Sequence, residues 1–483
     1  MACSSYNESA MNKQEYILPD HKAEGRRSNP AGRSVFELKS EQKNLGNGKT
    51  YFIRTYGCQA NVRDGETLSG MLEEMGFQPA EDYEDADLTI FNTCAVRHAA
   101  EEHVLGEIGS LRPFKEAHPD KIFALCGCMA QEEGIVKDLI RKYPQVDLVF
   151  GTHNIARFPD LLEEAMNGKR TIEVTSNEGS VIENLPVHRS HPWKGFVNIM
   201  YGCNKFCTYC IVPYTRGRER SRLESYIIEE TRQLKERGGK EVTLLGQNVN
   251  AYGKDLGMED GFTHLLRKVS ETGIDRIRFY SSHPRDYSVT TIDAMRDCPN
   301  IMPALHLPVQ SGCDEILKRM NRGYTAEHFR KLFDDMKARI PDLTFTTDLI
   351  VGFPGETDEQ FQETLDLVDY CHFDSAFTFV YSPREGTPAA AMEDNVPLSV
   401  KKERLQILNE RIGKYARENN EAAVGKTLKV LCDGPSKKNE NVLCGYSEEN
   451  RLVNFTGNGI QAGEICDVKI TEARSFSLYG EAL

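Results

Sequence analysis

Three cysteines fall within eight residues in Cys203-Asn-Lys-Phe-Cys207-Thr-Tyr-Cys210, with Gly202 before them and Pro213 just beyond. A loop this short can turn all three thiolates toward one centre. Tetrahedral zinc would call for a fourth nitrogen or sulfur ligand nearby, and none follows, whereas a cubane 4Fe-4S cluster accepts three thiolates and leaves one iron open for chemistry. A second set is dispersed: Cys58, Cys94 and either Cys126 or Cys128 stand in Tyr56-Gly-Cys58-Gln59, Asn92-Thr-Cys94-Ala95 and Cys126-Gly-Cys128-Met129. One such cysteine reads most simply as a small buried apolar residue. Three in equivalent settings point to a second cluster with three protein ligands, and spacing alone does not choose between Cys126 and Cys128.

The elements that must carry these groups follow from hydrophobic period and chain breakers. Strands at 51–56, 88–91, 122–125 and 146–150 alternate with helices at 65–75, 98–111 and 131–141, which gives an α/β domain built on an open parallel sheet. Cys58, Cys94 and Cys128 each then follow the carboxyl end of a different strand, where ligands bind in such sheets. A second α/β region has strands at 196–200, 242–246, 277–281, 305–309, 345–351 and 376–381, a partial (β/α)6 barrel open on one side. Its carboxyl-end face gathers Cys203 to Cys210, then Gln247 and Asn248, Ser282 and His283, Gln310 and Ser311, and Gly352-Phe-Pro-Gly355-Glu356. The last of these lacks the lysine of a phosphate loop, and Thr357 with Gln360 reads as a capping box for a helix at 358–371. His283 and His306 read as structural hydrogen-bonding residues. A long helix at 399–422 precedes five short strands at 428–432, 441–446, 452–456, 465–470 and 473–478, a small antiparallel β-barrel of the oligonucleotide-binding kind.

The expected division is a flexible extension at 1–47, the first domain at 48–175, the barrel domain at 190–423 and the small barrel at 424–483. With 39% hydrophobic and 27% charged residues the chain reads as globular, and no apolar run reaches the ~18 residues of a membrane span. Without an export signal its fourteen cysteines read as reduced thiols in the cytoplasm. The net charge of -14 argues against a general nucleic-acid binder. Local contacts are left to Arg216, Arg218 and Arg220, which alternate with Arg222 beyond the cysteines as a phosphate-contacting edge, and to Lys426 and Lys429 on the small barrel.

Five runs carry a family resemblance. Gly202-Cys203-Asn-Lys-Phe-Cys207-Thr-Tyr-Cys210-Ile-Val-Pro-Tyr-Thr-Arg216-Gly-Arg218-Glu, Leu245-Gly246-Gln247-Asn248-Val-Asn250, His306-Leu-Pro-Val-Gln310-Ser-Gly312, Met320-Asn-Arg-Gly-Tyr324-Thr and Thr347-Asp348-Leu-Ile-Val-Gly352-Phe-Pro-Gly355-Glu-Thr resemble the radical S-adenosylmethionine (SAM) methylthiotransferases, in the branch that acts on isopentenyladenosine in tRNA. Cys313 departs from the serine expected there, at a position with no ligand role. The resemblance covers residues 49 to 483 and implies a cluster domain, a radical SAM barrel and a C-terminal TRAM barrel, in that order.

It further implies two 4Fe-4S clusters. One, on Cys203, Cys207 and Cys210, binds and reduces SAM; the other, on Cys58, Cys94 and Cys128, carries an extra sulfur. One SAM methylates that sulfur. A second, cleaved to a deoxyadenosyl radical, removes hydrogen from adenine C2 so that the methylthio group can be transferred. Gln247, Gln310 and Ser282 are the SAM candidates. The implied partners are a tRNA anticodon stem-loop carrying isopentenyladenosine, an electron donor such as flavodoxin or ferredoxin, and a sulfur source. Methylthiolation of threonylcarbamoyl-adenosine or of a ribosomal protein stays open, as does a non-catalytic iron-sulfur protein that binds RNA.

Overall fold

The runs Leu88–Thr93 and Ile122–Gly127 are buried along nearly their whole length, as strands must be in a parallel sheet covered on both faces. In the computed structural model, which describes residues 16–20, 32–95, 98–176 and 180–483, they are the central strands of a six-stranded sheet. Its order is Gln78–Pro79, Thr50–Thr55, Leu88–Thr93, Ile122–Gly127, Leu148–Phe150 and Thr171–Glu173, and every neighbouring pair is parallel. Helices Gln59–Glu74 and Phe158–Met166 supply Leu68, Met71, Leu72, Phe158, Leu161 and Leu162 to the core on one face. Helices His98–Ser110 and Glu133–Lys142 supply Val104, Ile108, Val136 and Leu139 on the other.

The first helix begins at Gln59, six residues before the position expected, because its opening turns are polar yet buried: Asn61, Arg63, Asp64 and Glu66. The expected flexible extension falls largely on residues 1–15 and 21–31, outside the described residues. Its described parts are docked, not loose. Ile17 exchanges backbone hydrogen bonds with Ile172 and Val174 at 3.1 and 2.8 Å, and Phe36, Leu38 and Leu45 pack against the core.

The chain divides into two compact units, the first chiefly Val35–Ser180 and the second chiefly His188–Leu483. In the second, the six barrel strands form two parallel three-stranded sheets. One holds Lys194–Asn198, Glu241–Leu245 and Arg276–Phe279; the other holds Ala304–His306, Thr344–Val351 and Ser375–Val380. Ile277 joins them, donating to the Asn300 carbonyl at 2.7 Å and accepting from Met302 N–H at 3.0 Å. The helix Leu398–Glu421 straps this core with Leu408, Ile412 and Tyr415. Thr357 and Gln360 form the expected capping box on helix Asp358–Cys371.

The last five strands close a barrel in the order Thr427–Ser436, Asn439–Ser447, Leu452–Thr456, Ser477–Ala482, Ile465–Arg474. It is not wholly antiparallel, as expected, because Leu452–Thr456 and Ser477–Ala482 pair in parallel. A closed ring with an odd number of strands cannot alternate direction throughout. Residues Ala473 and Arg474 belong to the fourth strand in sequence, so the fifth begins later than expected, at Ser477.

This small barrel docks on the amino ends of the parallel strands. Arg276 donates to the carbonyls of Tyr446 and Lys429 at 2.8 and 2.9 Å, and Arg278 to that of Ser447 at 2.7 Å. Thr344 donates to the Glu449 carbonyl at 2.7 Å, and Arg451 pairs with Asp374 at 2.8 Å. Trp193 donates through Nε1 to Asp433 at 3.3 Å.

Candidate functional site

Beyond the opposite, carboxyl ends lies the loop of Cys203, Cys207 and Cys210. Gly202 opens it at φ +75°, and a Cβ there would sit 2.2 Å from the Arg218 carbonyl oxygen, so only glycine allows the turn. Its N–H donates to Gln247 Oε1 at 2.5 Å, and Cys203 N–H donates to Gly217 O at 3.0 Å. Phe206, between the first two cysteines, is itself left-handed at φ +46°. The far side is pinned by the segment 319–322: Thr208 N–H and Oγ1 donate to the Met320 and Arg319 carbonyls at 3.0 and 2.9 Å, and Asn321 donates to the Phe206 carbonyl at 3.0 Å.

Burial pushes the Cys203 and Cys210 thiols up, Cys210 to about 12, and neighbouring cysteine thiolates push the same way. Three thiolates turned toward one centre would be stable only if a cation cancelled their charge, which a cluster would do. Among the described residues no three His, Cys, Asp or Glu side chains are gathered as a site for a metal ion. The fit of both triads therefore rests on loop geometry, strand register and charge.

In the first unit, register does what the loop does in the second. Thr93 lies opposite Gly127 and Thr55 opposite Asn92, so Cys94 and Cys128 are the next residues on adjacent parallel strands, about 5 Å apart in backbone spacing. Cys58 follows the third strand. A Cβ on Gly57 would fall 2.4 Å from Cys94 Cβ, and one on Gly127, at φ +96°, 2.2 Å from Thr93 O. Asn61 donates to Thr93 O at 2.9 Å and Asn92 donates back to Asn61 O at 2.6 Å, clamping the start of helix Gln59–Glu74 to this edge. Cys58 caps that helix, where the helix N-terminus favours a thiolate. Cys126 packs in the hydrophobic core, which supports Cys128 as the third member of the set.

The SAM candidates lie on three different strand ends. Gln247 is occupied in holding Gly202. Gln310 is buried and left-handed at φ +74°, exchanging backbone hydrogen bonds with Asp348 and Ile350 at 2.8 and 3.0 Å. Ser282 is buried, its Oγ without a hydrogen-bond partner among the described residues, and follows the left-handed Ser281, at φ +66°. Asn248 Oδ1, Asn250 Nδ2 and His283 Nε2 are likewise buried and unpartnered among the described residues. His283 Nδ1 accepts from Arg285 N–H at 3.2 Å, so its proton is on Nε2. Unsatisfied donors and acceptors at strand ends fit a polar, zwitterionic ligand such as SAM. Strained backbone at the same ends has the character of a functional site.

Three family descriptions match. Residues 50–151 match the uncharacterized protein family UPF0004, residues 197–368 the Radical SAM superfamily and residues 421–483 the TRAM domain. The tRNA-2-methylthio-N(6)-dimethylallyladenosine synthase of Bacillus cytotoxicus is 51% identical over 466 residues, covering 96% of this chain and 91% of its own. That of Shouchella clausii is 53% identical over 445 residues, covering 92% and 86%. The chain belongs to the tRNA-2-methylthio-N(6)-dimethylallyladenosine synthase family. The radical SAM methyltransferase TsrM of Kitasatospora setae shares the fold alone, with a TM-score of 0.53 at 14% identity over 71% of this chain and 74% of that one.

For a member of this synthase family, the arginines after the cysteines sit unexpectedly. Arg216, Arg220 and Arg222 are buried, so the alternation does not make an exposed phosphate edge. Arg222 is paired with Glu183 and Glu230 at 2.7 Å each. Arg220 donates to the carbonyls of Arg216 and Arg218 at 3.0 and 3.2 Å, and Arg218 lies over the Phe206 ring at 4.4 Å. They order the loop from behind. Lys426 and Lys429 are exposed, on the small barrel that docks at the end away from the cysteines. Arg322 is the residue that sequence reasoning missed. It is buried, with Nη1 3.4 Å from Cys207 Sγ, and its only sequence signal is membership of the run Met320 to Thr325.

Proposed function

We propose that this chain adds a methylthio group to C2 of isopentenyladenosine beside the anticodon of tRNA. Cys203, Cys207 and Cys210 would hold the cluster that reduces SAM, and Cys58, Cys94 and Cys128 the cluster that carries sulfur. The observation that carries the reading is that the chain holds one cysteine triad on a glycine-anchored barrel loop and another just past the ends of three neighbouring parallel strands. Bound clusters and SAM supply the radical and sulfur chemistry; the protein supplies placement and dryness. Gly202 and Gln247 fix the thiol loop against the second strand, and Thr208 and Asn321 fix it from the other side. Ser282, Asn248, Asn250 and Gln310 offer hydrogen bonds to SAM at the strand ends. The neutral His283 donates from Nε2 into the same region without adding charge.

The domain division that goes with this is 48–175 for sulfur transfer, 190–423 for SAM cleavage and 424–483 for RNA. A tRNA that contacts Lys426 and Lys429 and also reaches the cysteine loop spans the barrel's height, about 20 Å for strands of this length. The reacting base leaves its stack to enter the barrel, which a loop nucleotide does at least cost. The reading places the enzyme in the cytoplasm with a flavodoxin- or ferredoxin-type electron donor and a separate sulfur source. Among the described residues no helix is long and apolar enough to cross a membrane.

The test is anaerobic turnover of iron-reconstituted protein with SAM, reductant, sulfide and tRNA carrying or lacking isopentenyladenosine, followed by mass analysis of digested nucleosides. Methylthio product on isopentenylated tRNA alone, abolished together with deoxyadenosine by Cys207→Ala, is the expected result. Deoxyadenosine without modified nucleoside would move the substrate to threonylcarbamoyl-adenosine or protein. No deoxyadenosine from protein with both clusters loaded would favour a non-catalytic role.

A further inference from the structure

Arg322 differs from three other buried arginines, each of which has a carboxylate partner. Arg222 is paired with Glu183 and Glu230 at 2.7 Å each, and Arg278 and Arg404 with Glu241 and Glu356 at 2.9 Å each. Arg322 is equally deep, 5% exposed, yet among the described residues no carboxylate pairs with it. Its donors reach the Tyr324 hydroxyl at 3.0 Å, the Pro308 carbonyl at 2.6 Å, the Tyr209 hydroxyl at 3.5 Å and Cys207 Sγ at 3.4 Å. A buried charge without a counter-charge is strongly unfavourable. Within its contacts, Cys207 Sγ is the atom that a bound cluster would hold as an anionic ligand. Lys205, the cation of the loop itself, is already neutralised by Asp286 at 2.5 Å.

We infer that Arg322 is a positioning residue that supplies the counter-charge to the cluster held by Cys203, Cys207 and Cys210 and so favours its one-electron reduction. The inference rests on the cluster assignment proposed above. A cluster with three thiolate ligands is anionic, and reduction adds one further negative charge. The electron comes from a low-potential one-electron donor, and no bond forms and no proton moves. A fixed guanidinium against one ligand sulfur, shielded from water, stabilises the reduced state more than the oxidised one. A merely structural arginine would lock the loop to Pro308 and leave the potential unchanged.

The test is a redox titration of anaerobic holoenzyme by electron paramagnetic resonance, following the cluster signal that changes when SAM is added. Arg322→Gln is expected to weaken reduction at least tenfold, a midpoint more negative by about 59 mV or more, while Arg322→Lys stays within that margin of wild type. A wild-type midpoint in loaded Arg322→Gln would overturn the inference, and so would a Lys variant that falls as far as Gln. If Arg322→Gln takes up no iron, the Lys variant decides alone: a midpoint within the margin supports the inference and a tenfold loss overturns it. Retention of the SAM-responsive signal in Cys207→Ala would instead overturn the cluster assignment itself.

Discussion

Replacing Arg278 with Met should loosen the small barrel from the parallel strands. Arg278 and Glu241 are 5% and 9% exposed and 2.9 Å apart, and Arg278 also donates to the carbonyls of Ser447 and Glu448 at 2.7 and 3.3 Å. Removing one member of a buried pair typically costs about 3–5 kcal/mol, because the partner is left as an uncompensated charge. The Ser447 carbonyl still accepts from Asn450 N–H at 3.0 Å, so its lost bond to Arg278 adds only about 1 kcal/mol. Arg276, 4.0 Å from the same Glu241 carboxylate, offsets part of this. The expected net effect is about 3 kcal/mol, roughly a hundredfold in the docked-to-undocked equilibrium.

Protease cleavage in the connector near Gly425 reads the open population when closing is fast, and should accelerate by a comparable factor. SAM cleavage without tRNA should be unchanged, since the cysteine loop lies at the other end, whereas turnover on tRNA should fall. Adding Glu241→Leu removes the stranded carboxylate and should recover part of the loss. Unchanged protection in Arg278→Met would refute the docking argument. A double variant worse than the single one would refute the buried-charge reasoning.

Gly127→Ala drives a Cβ into the Thr93 backbone; iron analysis should show one cluster in place of two, and full loading would count against the strand-end site. Cys126→Ala should keep both clusters by the same analysis while Cys128→Ala loses one, and the reverse pattern would exchange their assignments. His283 gives a pH signature. Burial chiefly, with Arg322, Lys205 and Arg285 adding and Asp286 opposing, pushes its imidazole from 6.5 down to about 2. Between those values the unfolded chain binds one proton more than the folded one. Its contribution to stability is complete above about pH 6.5 and drains away as pH falls, with a limiting slope of about 1.4 kcal/mol per pH unit. Urea unfolding of His283→Gln near pH 5 and 6 should show that slope removed; an unaltered slope would mean that His283 is protonated in the fold.

Most strands are legible because their apolar runs are buried on both faces, and the strand-end cysteines follow once the strands are placed. What resists reading is what depends on distant partners. The start of helix Gln59–Glu74 is hidden because Asn61 is polar and buried for the sake of Asn92 and Thr93. The parallel closure of Leu452–Thr456 with Ser477–Ala482 is a property of the whole ring and not of either segment. Alternating arginines from 216 to 222 look like a surface edge, but the carboxylate partners of Arg222 lie outside the run and Arg220 turns back on the carbonyls of Arg216 and Arg218. Arg322 is a single residue whose meaning appears only when Cys207 is seen against it.

The two cysteine sets also differ in how they come into being. Cys203, Cys207 and Cys210 belong to one short segment, so a nascent chain brings them together with almost no loop closure. Cys58, Cys94 and Cys128 are separated by 36 and then 34 positions and meet only when three parallel strands have paired, the slower kind of event because each crossover must close before pairing rewards it. During biosynthesis, iron delivered early would find the barrel loop able to receive it and the sheet edge not yet formed. Maturation of the proposed sulfur-carrying site would thereby be tied to completed folding of the sheet, with a half-loaded protein the expected product when iron supply outpaces folding.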